Sequence, residues 1–356
     1  MTPSPKRFLV TGGAGFIGSH TCLVLLEAGC SLVVLDSFSN SSSESLRRVV
    51  EIVGGDASSR LTLVQGDIRQ ARDLDRAFGA GGDAGAIEAV VHFAGLKAVG
   101  ESVANPLHYW DVNVGGSRQL LAAMAAHRCH TLLFSSSATV YGMPERVPIA
   151  ETAPLQPINP YGHTKVAVEQ MLGDVFSSGQ PCGASWRIAR LRYFNPVGAH
   201  PSGRIGEDPL GDPSNLFPLV SQVAVGRRGE LAIFGDDWPT LDGTGERDFI
   251  HVMDLAEGHW AALQHLQSHT PQLLTLNLGS GSGYTVKQVV AAFEQASGRT
   301  IPCRVAGRRD GDAARSVADP AAAECVLSWR CQRDLDAMCR DSWRWQSMNP
   351  FGFHWK

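Results

Sequence analysis

Phe8-Leu9-Val10-Thr11-Gly12-Gly13-Ala14-Gly15-Phe16-Ile17-Gly18 decides how the rest of the chain is read. Phe8 to Val10 is an apolar run of strand length, as expected of a short, fully buried strand. Gly13, Gly15 and Gly18 fit a G-x-G-x-x-G pattern, and Gly12, Gly15 and Gly18 a related G-x-x-G-x-x-G spacing. A helical stretch follows from Ser19 to Glu27, and Gly29 suits its C-terminal cap. In such a turn one glycine makes the bend. Another lets the backbone approach a pyrophosphate, and a third lets helix lie on strand. The helix N–H groups and positive dipole end then face the phosphates. Glycine-rich turns are common, so the strand before and the helix after carry the assignment.

Ser31 to Leu35 reads as the next strand and ends in Asp36, 18 residues after Gly18. An acid there can hydrogen-bond an adenosine ribose and would repel a 2′-phosphate, so NAD is expected rather than NADP. Asp36 alone could equally cap a turn before Ser37. Glycine loop and acid together favour the dinucleotide.

Working outward, strands are expected at Leu61–Val64, Ala89–Phe93, Thr131–Phe134 and Ile188–Phe194, and helices at Glu44–Val53, Leu74–Phe78, Pro106–Met124 and Tyr161–Phe176. Gly79 to Ala86 is a glycine-alanine stretch expected to be an exposed loop. Alternating strands and helices imply an α/β fold, a doubly wound parallel sheet with helices on both faces. In such sheets ligands lie beyond the carboxyl ends of the strands. Here those ends are Gly12, Asp36, Asp67, Phe93 to Lys97, Ser135 to Ser137, and Phe194-Asn195. After Asn195 the texture turns irregular, rich in Gly, Pro and Asp. The organisation expected is a dinucleotide-binding domain over 1–194 and 251–284, and a smaller mixed α/β lobe over 195–250 and 285–356.

Composition narrows the function classes. Net charge is −4 with no basic block, which argues against nucleic acid. No apolar run reaches membrane-spanning length, and Met1 to Arg7 lacks the apolar core of an export signal. The eight cysteines include no C-x-x-C pair, and the twelve histidines show no metal-ligand spacing. Reduced thiols, a cytoplasmic location and no metal site are therefore expected.

Tyr161-Gly162-His163-Thr164-Lys165 puts Tyr and Lys four apart, on one helix face. A neighbouring ammonium is expected to lower the phenol pKa, making Tyr161 a base toward an alcohol or sugar hydroxyl. Lys165 could also hold a nicotinamide ribose. Ser137, with Thr139 as second candidate, offers a hydroxyl to bridge substrate and Tyr161. Ser137-Ala138-Thr139-Val140-Tyr141 contains no Asp or Glu, so elimination of water, which needs further acid and base groups, fits less well than oxidation with return of hydride. Arg247, after a glycine-rich turn, and Arg309, in Arg308-Arg309-Asp310-Gly311-Asp312, suit a diphosphate, and Asp312 suits ribose hydroxyls.

These residues, with the blocks His92 to Ser102, Phe134 to Gly142, Leu191 to Pro201 and Val223 to Arg228, resemble the extended short-chain dehydrogenase/reductases and, within them, the UDP-glucose 4-epimerase family. The likeness runs from about Arg7 to Pro350. It implies a Rossmann-type domain, resident NAD, and interconversion of UDP-galactose and UDP-glucose through a 4-keto sugar, with Tyr161, Ser137 and Lys165 catalytic. It also implies that Gly12, Gly15, Phe16, Ile17, Gly18, Asp36, Ser37, Phe38, Ser39, Asn40, Ser41, Asp67, Ile68, Phe93, Ala94, Gly95, Leu96, Lys97, Asn113, Ser137, Tyr161, Lys165 and Phe194 hold NAD. By the same likeness Ser137, Tyr161, Asn195, Asn215, Leu216, Ala232, Ile233, Phe234, Arg247, Arg309, Asp310, Gly311 and Asp312 hold the UDP-hexose. Ser316 is small where many members carry a bulky aromatic, which would open the sugar pocket to N-acetyl groups. The likeness implies a homodimer joined by the Pro106 and Tyr161 helices. Phe351 to Lys356 has no interpretable counterpart.

Overall fold

The computed structural model describes residues 6–80, 85–178, 186–309 and 311–353. Two compact units emerge. The first is Met1–Val140, Pro157–Arg192 and Ala256–Leu276; the second is Tyr141–Gln156, Tyr193–Leu255 and Asn277–Lys356.

In chain order the elements begin β1 (Arg7–Thr11), α1 (Phe16–Glu27), β2 (Ser31–Asp36), α2 (Ser43–Val53), α3 (Ala57–Arg60), β3 (Leu61–Gln65), α4 (Ala71–Gly79), β4 (Ala89–His92), α5 (Val99–Ala104), α6 (Pro106–Tyr109) and α7 (Gly116–Ala126). They continue through β5 (Thr131–Ser137), α8 (Pro160–Ser178), β6 (Arg187–Tyr193), β7 (Asn195–Val197), α9 (Leu216–Ala224), β8 (Leu231–Phe234), β9 (Glu246–His251), α10 (Val252–Ser268) and β10 (Leu273–Leu278). The chain closes with β11 (Gly283–Thr285), α11 (Val286–Ser297), β12 (Cys303–Ala306), β13 (Arg315–Ser316), α12 (Ala321–Leu327) and α13 (Leu335–Met348).

The principal sheet has seven strands in the order β10-β6-β5-β4-β1-β2-β3. β1 runs parallel to both β2 and β4, with Val10 level with Val34 on one side and Val91 on the other. The apolar runs of β1, β2 and β4 are buried throughout, as strands covered on both faces must be. Strand order reverses at β1, so β1 and β4 splay the chain to opposite sides at their carboxyl ends, the place where such sheets bind ligands. Leu9, Val33, Leu74, Val90, Leu120, Leu132 and Leu172 join strands and helices of this unit in one apolar core.

The expected single helix over Pro106–Met124 is three pieces: α6, a wider π-helical turn over Trp110–Gly115, and α7. Asn113 sits inside that turn, 3% exposed, with its side chain bonded to both backbone groups of Leu96 and to Thr164. Such turns interrupt helices where a side chain is held to a task. The glycine-alanine stretch is exposed as expected at Gly79, Gly85 and Ala86, and departs from a plain loop only at its start. Gly79 ends α4 and Ala80 packs on the core; Gly85 and Ala86 are exposed, and 81–84 lie outside the described residues.

The second unit has its own core, in which Phe217, Val220, Leu231, Ile233, Phe249, Val289, Phe293 and Met338 meet. β9 is the hub of a mixed sheet, antiparallel to β11 and parallel to β7 and β13. β8 and β12 form a separate parallel pair. Thr285 and Gln288 make a reciprocal capping box that starts α11, and Gly298 in left-handed conformation stops it.

Candidate active site

The glycine loop between β1 and α1 is built by close approach. Gly12 has φ +70°, and a Cβ there would lie 2.6 Å from Ala94 N, so only glycine fits beside the end of β4. A Cβ on Gly18 would lie 2.3 Å from Gly12 O, so that glycine lets α1 lie on the loop. Gly15 is the N-cap of α1 and brings no side-chain cap, and the first turn, Phe16 onward, holds no acid. α2 and α13, by contrast, have N-termini closed by Ser42 and Asp334 side chains. The first-turn N–H groups of α1 are left for an anion, the fit a dinucleotide pyrophosphate requires.

Asp36 ends β2 and is 7% exposed. One carboxylate oxygen accepts Ala14 N–H of the glycine loop at 2.9 Å; the other accepts Phe38 N–H at 2.9 Å and the Ser41 hydroxyl at 2.8 Å. The acid therefore braces loop against loop, and the turn-cap alternative holds alongside any contact to a ribose. Ser37, Ser39 and Asn40 stand exposed on this loop, and Phe38 has φ +57°, a conformation costly for a bulky residue. Asp67, at the end of β3, is gripped by the Arg69 guanidinium, which holds its carboxyl below the usual range and reaches on to Asp111. Ile68 is buried against Gly116.

Beyond β4, Phe93 and Ala94 hydrogen-bond to Thr11 O, and Asn113 holds both backbone groups of Leu96 and leaves no room for a side chain on Gly95. Lys97 is exposed at the end of this turn. His92 lies beneath it, bonded to Thr11 at 2.7 Å and Ser117 at 2.9 Å. Burial and the nearby Lys165 charge push its pKa down to about 3, so it is a neutral structural imidazole.

Ser137 closes β5 and Tyr161 and Lys165 share a face of α8, so one strand end and one helix assemble the expected set. The Ser137 and Tyr161 hydroxyls are hydrogen-bonded. Ser137 Oγ also accepts from Thr139 N–H at 3.2 Å and Thr139 Oγ1 at 2.9 Å. A hydroxyl has two lone pairs and one proton, so Ser137 is left to donate toward Tyr161. Lys165 Nζ donates to Ser135 O at 2.7 Å and lies 4.9 Å from the Phe134 ring centroid. Burial lowers its pKa to about 8, an effect that the Glu169 charge opposes.

The expected lowering of the Tyr161 pKa by Lys165 is not what the fold produces. Burial raises it, and the Ser137 hydrogen bond is the force that pulls it down. The ammonium is turned to Ser135 O and stands 5.7 Å from the phenol ring centroid, while the phenol is 9% exposed. Helical spacing placed the pair on one face, but loss of hydration outweighs the charge at that separation.

In the second unit the expected residues gather about β8 and β9. The Arg309 guanidinium lies 3.8 Å from the Phe234 ring centroid, and Arg247 Nη2 stands 3.7 Å from Asp312 Oδ1. Burial depresses the Arg247 pKa, with Asp312 opposing and Arg309 adding to the effect. Ala232 and Ile233 precede Phe234 on β8, and Gly311, φ +80°, lies between the two charged residues. Asp310 lies outside the described residues. Ser316 is level with Arg247 across β13 and β9. Phe194 is buried, and its N–H bonds to Leu278 O; Asn195 donates to Asp248 O at 2.8 Å. Asn215 is the exposed N-cap of α9 and Leu216 its first residue, against the same core as β8.

Sequence reading passed over Ser136, Glu169 and Arg192, a buried cluster directly behind the Ser137, Tyr161 and Lys165 set. Its one available signal was spacing: Glu169 follows Lys165 by four residues, as Lys165 follows Tyr161.

Comparison with known proteins identifies the family and fold of the chain. Residues 8–279 match the model of the NAD dependent epimerase/dehydratase family. The chain is 53% identical to the UDP-glucose 4-epimerase of Bacillus subtilis over 345 residues, 97% of this chain and 98% of the relative. A solved UDP-glucose 4-epimerase from Stenotrophomonas maltophila, with bound NAD and formylated UDP-arabinopyranose, superposes with TM-score 0.91 at 47% identity, covering 97% of this chain and 99% of that one. The enzyme from Bifidobacterium longum, in complex with NAD and UDP, gives TM-score 0.91 at 45% identity, covering 98% and 100%.

Proposed function

The chain belongs to the NAD dependent epimerase/dehydratase family, and from that premise we propose that it interconverts UDP-galactose and UDP-glucose by inversion at C4 of the sugar. The observation that carries this reading is the Ser137, Tyr161 and Lys165 set at the end of β5, in the unit that also holds the glycine loop. When bound, NAD supplies the acceptor for hydride from C4 and the source from which hydride returns to the opposite face of a 4-keto sugar, and its positive nicotinamide favours a phenolate nearby.

The chain's own residues handle the proton and the anchoring. Tyr161 takes the proton of the 4-hydroxyl and gives it back on the other face. Ser137, its two lone pairs occupied by Thr139, gives its one proton to the phenol until substrate enters and to the sugar oxygen once it is bound. Lys165 holds a ribose hydroxyl and places positive charge behind the site. Gly12, Gly15, Phe16, Ile17 and Gly18 seat the pyrophosphate, and Asp36 to Ser41, Asp67 and Ile68 the adenosine. Phe93 to Lys97, with Asn113 beneath them, and Phe194 border the nicotinamide half. Arg247 and Arg309 take the diphosphate of the UDP-sugar, and Phe234 and Asp312 the uridine, with Asn195, Asn215 and Leu216 completing that site. The absence of an acid between Ser137 and Tyr141 favours epimerisation over dehydration.

The working form proposed is a homodimer. An apolar groove lined by Leu121, Ala125, Met171, Val175 and Trp186 runs between α7 and α8, and Leu107, on α6, is 83% exposed. A second copy would cover it. A cytoplasmic setting suits the cysteines, which among the described residues are all free thiols. No helix of the described residues is long and apolar enough to cross a membrane.

The test is the product formed from UDP-galactose by purified protein with no NAD added. UDP-glucose is expected; its absence even with NAD supplied overturns the reading. Ser316, small and level with Arg247, also favours turnover of UDP-GalNAc to UDP-GlcNAc, checked in the same assay.

A further inference from the structure

On α8 the residues Tyr161 and Lys165 are followed, at the same spacing, by Glu169. Its carboxylate is 2% exposed and receives Arg192 of β6 through Nε at 2.9 Å and Nη2 at 2.6 Å. It also accepts the Ser136 hydroxyl at 2.5 Å. Consecutive serines at the end of β5 thus each hold a different residue of α8. Ser135 O takes Lys165, Ser136 Oγ reaches Glu169, and Ser137 Oγ meets Tyr161. Packing alone does not call for this arrangement, because apolar residues of similar volume commonly hold helix to strand as well as a buried ion pair does.

The surroundings of Lys165 leave Glu169 as the anion that acts on it. His92 on β4 is held neutral by burial, and burial likewise disfavours the charged form of Tyr161. Arg190 on β6 donates to Glu169 O and Thr275, and Arg192 is spent on the Glu169 carboxylate. On the helices packed against α8, Glu101 accepts the Tyr109 hydroxyl, Asp111 pairs with Arg69, and His108 is exposed. Of these groups it is Glu169 whose charge opposes the loss of the Lys165 proton.

We propose that Glu169 is a positioning residue of the reaction: it ties the strand end bearing Ser137 to α8 and supplies the buried negative charge that keeps Lys165 an ammonium on Ser135 O. The proposal rests on the role assigned to Lys165 above.

The direct test is the titration of Lys165 in full-length protein carrying 13C-labelled lysine, its resonance identified with Lys165→Arg. The parent midpoint is expected near 8. In Glu169→Gln it should fall by about one pH unit, whereas an unchanged midpoint overturns the proposal. Glu169→Gln removes the counter-charge of Arg192 in the interior and can cost folding. The double variant Glu169→Met, Arg192→Met removes both charges and keeps the volume. Its midpoint should also lie below the parent's; recovery of the parent value would mean that Glu169 merely neutralises Arg192, and the proposal fails. Turnover of UDP-galactose gives a second readout. The alkaline limb of kcat should move down in pH with the lysine midpoint while KM holds. A lowered midpoint in a protein that does not turn over UDP-galactose supports the charge role and places the failure in the functional reading instead.

Discussion

The candidate site residues of the two units are presented in different ways. In the first, Tyr161, Lys165, Ser136 and Glu169 are 9% exposed or less, and each is fixed by a hydrogen bond to a neighbouring element. In the second, Arg309 and Gly311 stand exposed on a loop, and Arg247 keeps 24% of its side chain open, with Asp312 3.7 Å away. The difference matches the tasks proposed for each. Proton transfer depends on pKa values, which burial shifts by whole units and geometry must hold in place. Anchoring a diphosphate needs charge that can reach its ligand, and Arg309, left in water, carries a smaller desolvation cost than Arg247, whose pKa burial depresses.

Substitutions that touch only one side should therefore affect different kinetic constants. The largest effect is expected from Tyr161→Phe, which removes the proposed proton carrier and leaves the ring. A loss in kcat of about 10³-fold is expected, with UDP binding retained by calorimetry; turnover within tenfold of the parent would take the proton from Tyr161. Next comes Arg247→Met in the second unit. A rise in KM for UDP-galactose of about 10- to 100-fold is expected, the worth of a charge-assisted phosphate contact. If kcat falls instead and KM holds, the division of labour between the units is wrong.

The pH dependence sharpens the same contrast. Lys165 has its pKa lowered to about 8, so its charge is complete well below that pH and is lost as pH rises through it. The kcat of the parent should then decline on the alkaline side, approaching about tenfold per pH unit once the lysine is mostly neutral. KM, governed by arginines that stay charged, should change little over that range. A kcat flat to about pH 9.5 would dissociate Lys165 from the chemistry. The smallest effect is expected from Ser316→Tyr, which should depress UDP-GalNAc turnover by about tenfold and leave UDP-galactose nearly untouched, since pocket volume alone discriminates weakly. Equal loss on both sugars would show that Ser316 does not border the sugar.

Much of the first unit is legible in the sequence. Gly12, Gly15 and Gly18 between an apolar run and a helix leave few alternatives, because φ +70° at Gly12 and a 2.3 Å approach at Gly18 exclude other residues. The spacing of Tyr161 and Lys165 placed them on one face of α8 as expected. The break at Trp110–Gly115 was not legible, because nothing in its residue types contradicts an α-helix; the wider turn goes with Asn113 reaching Leu96 and Thr164, contacts distant in sequence. The cluster of Arg247, Arg309, Asp312 and Phe234 was legible as residue types suited to a diphosphate and a nucleoside, but pairing of β8 with β12 and β9 with β13 decided which of them meet.

The sequence by itself determined the local features of this protein: the strand-turn-helix at its start, the acid at the end of β2, and the helical spacing of Tyr161 and Lys165. Steric limits on the backbone and the period of the helix act over a few residues and are written in those residues. Only the tertiary structure decided the electrostatics. Burial raised the tyrosine where its neighbouring lysine was expected to lower it, and Ser136 of β5 and Arg192 of β6 came to hold the Glu169 carboxylate behind the lysine. A pKa reports the water removed and the charges gathered around a group, and both are set by segments that meet only when the chain has folded.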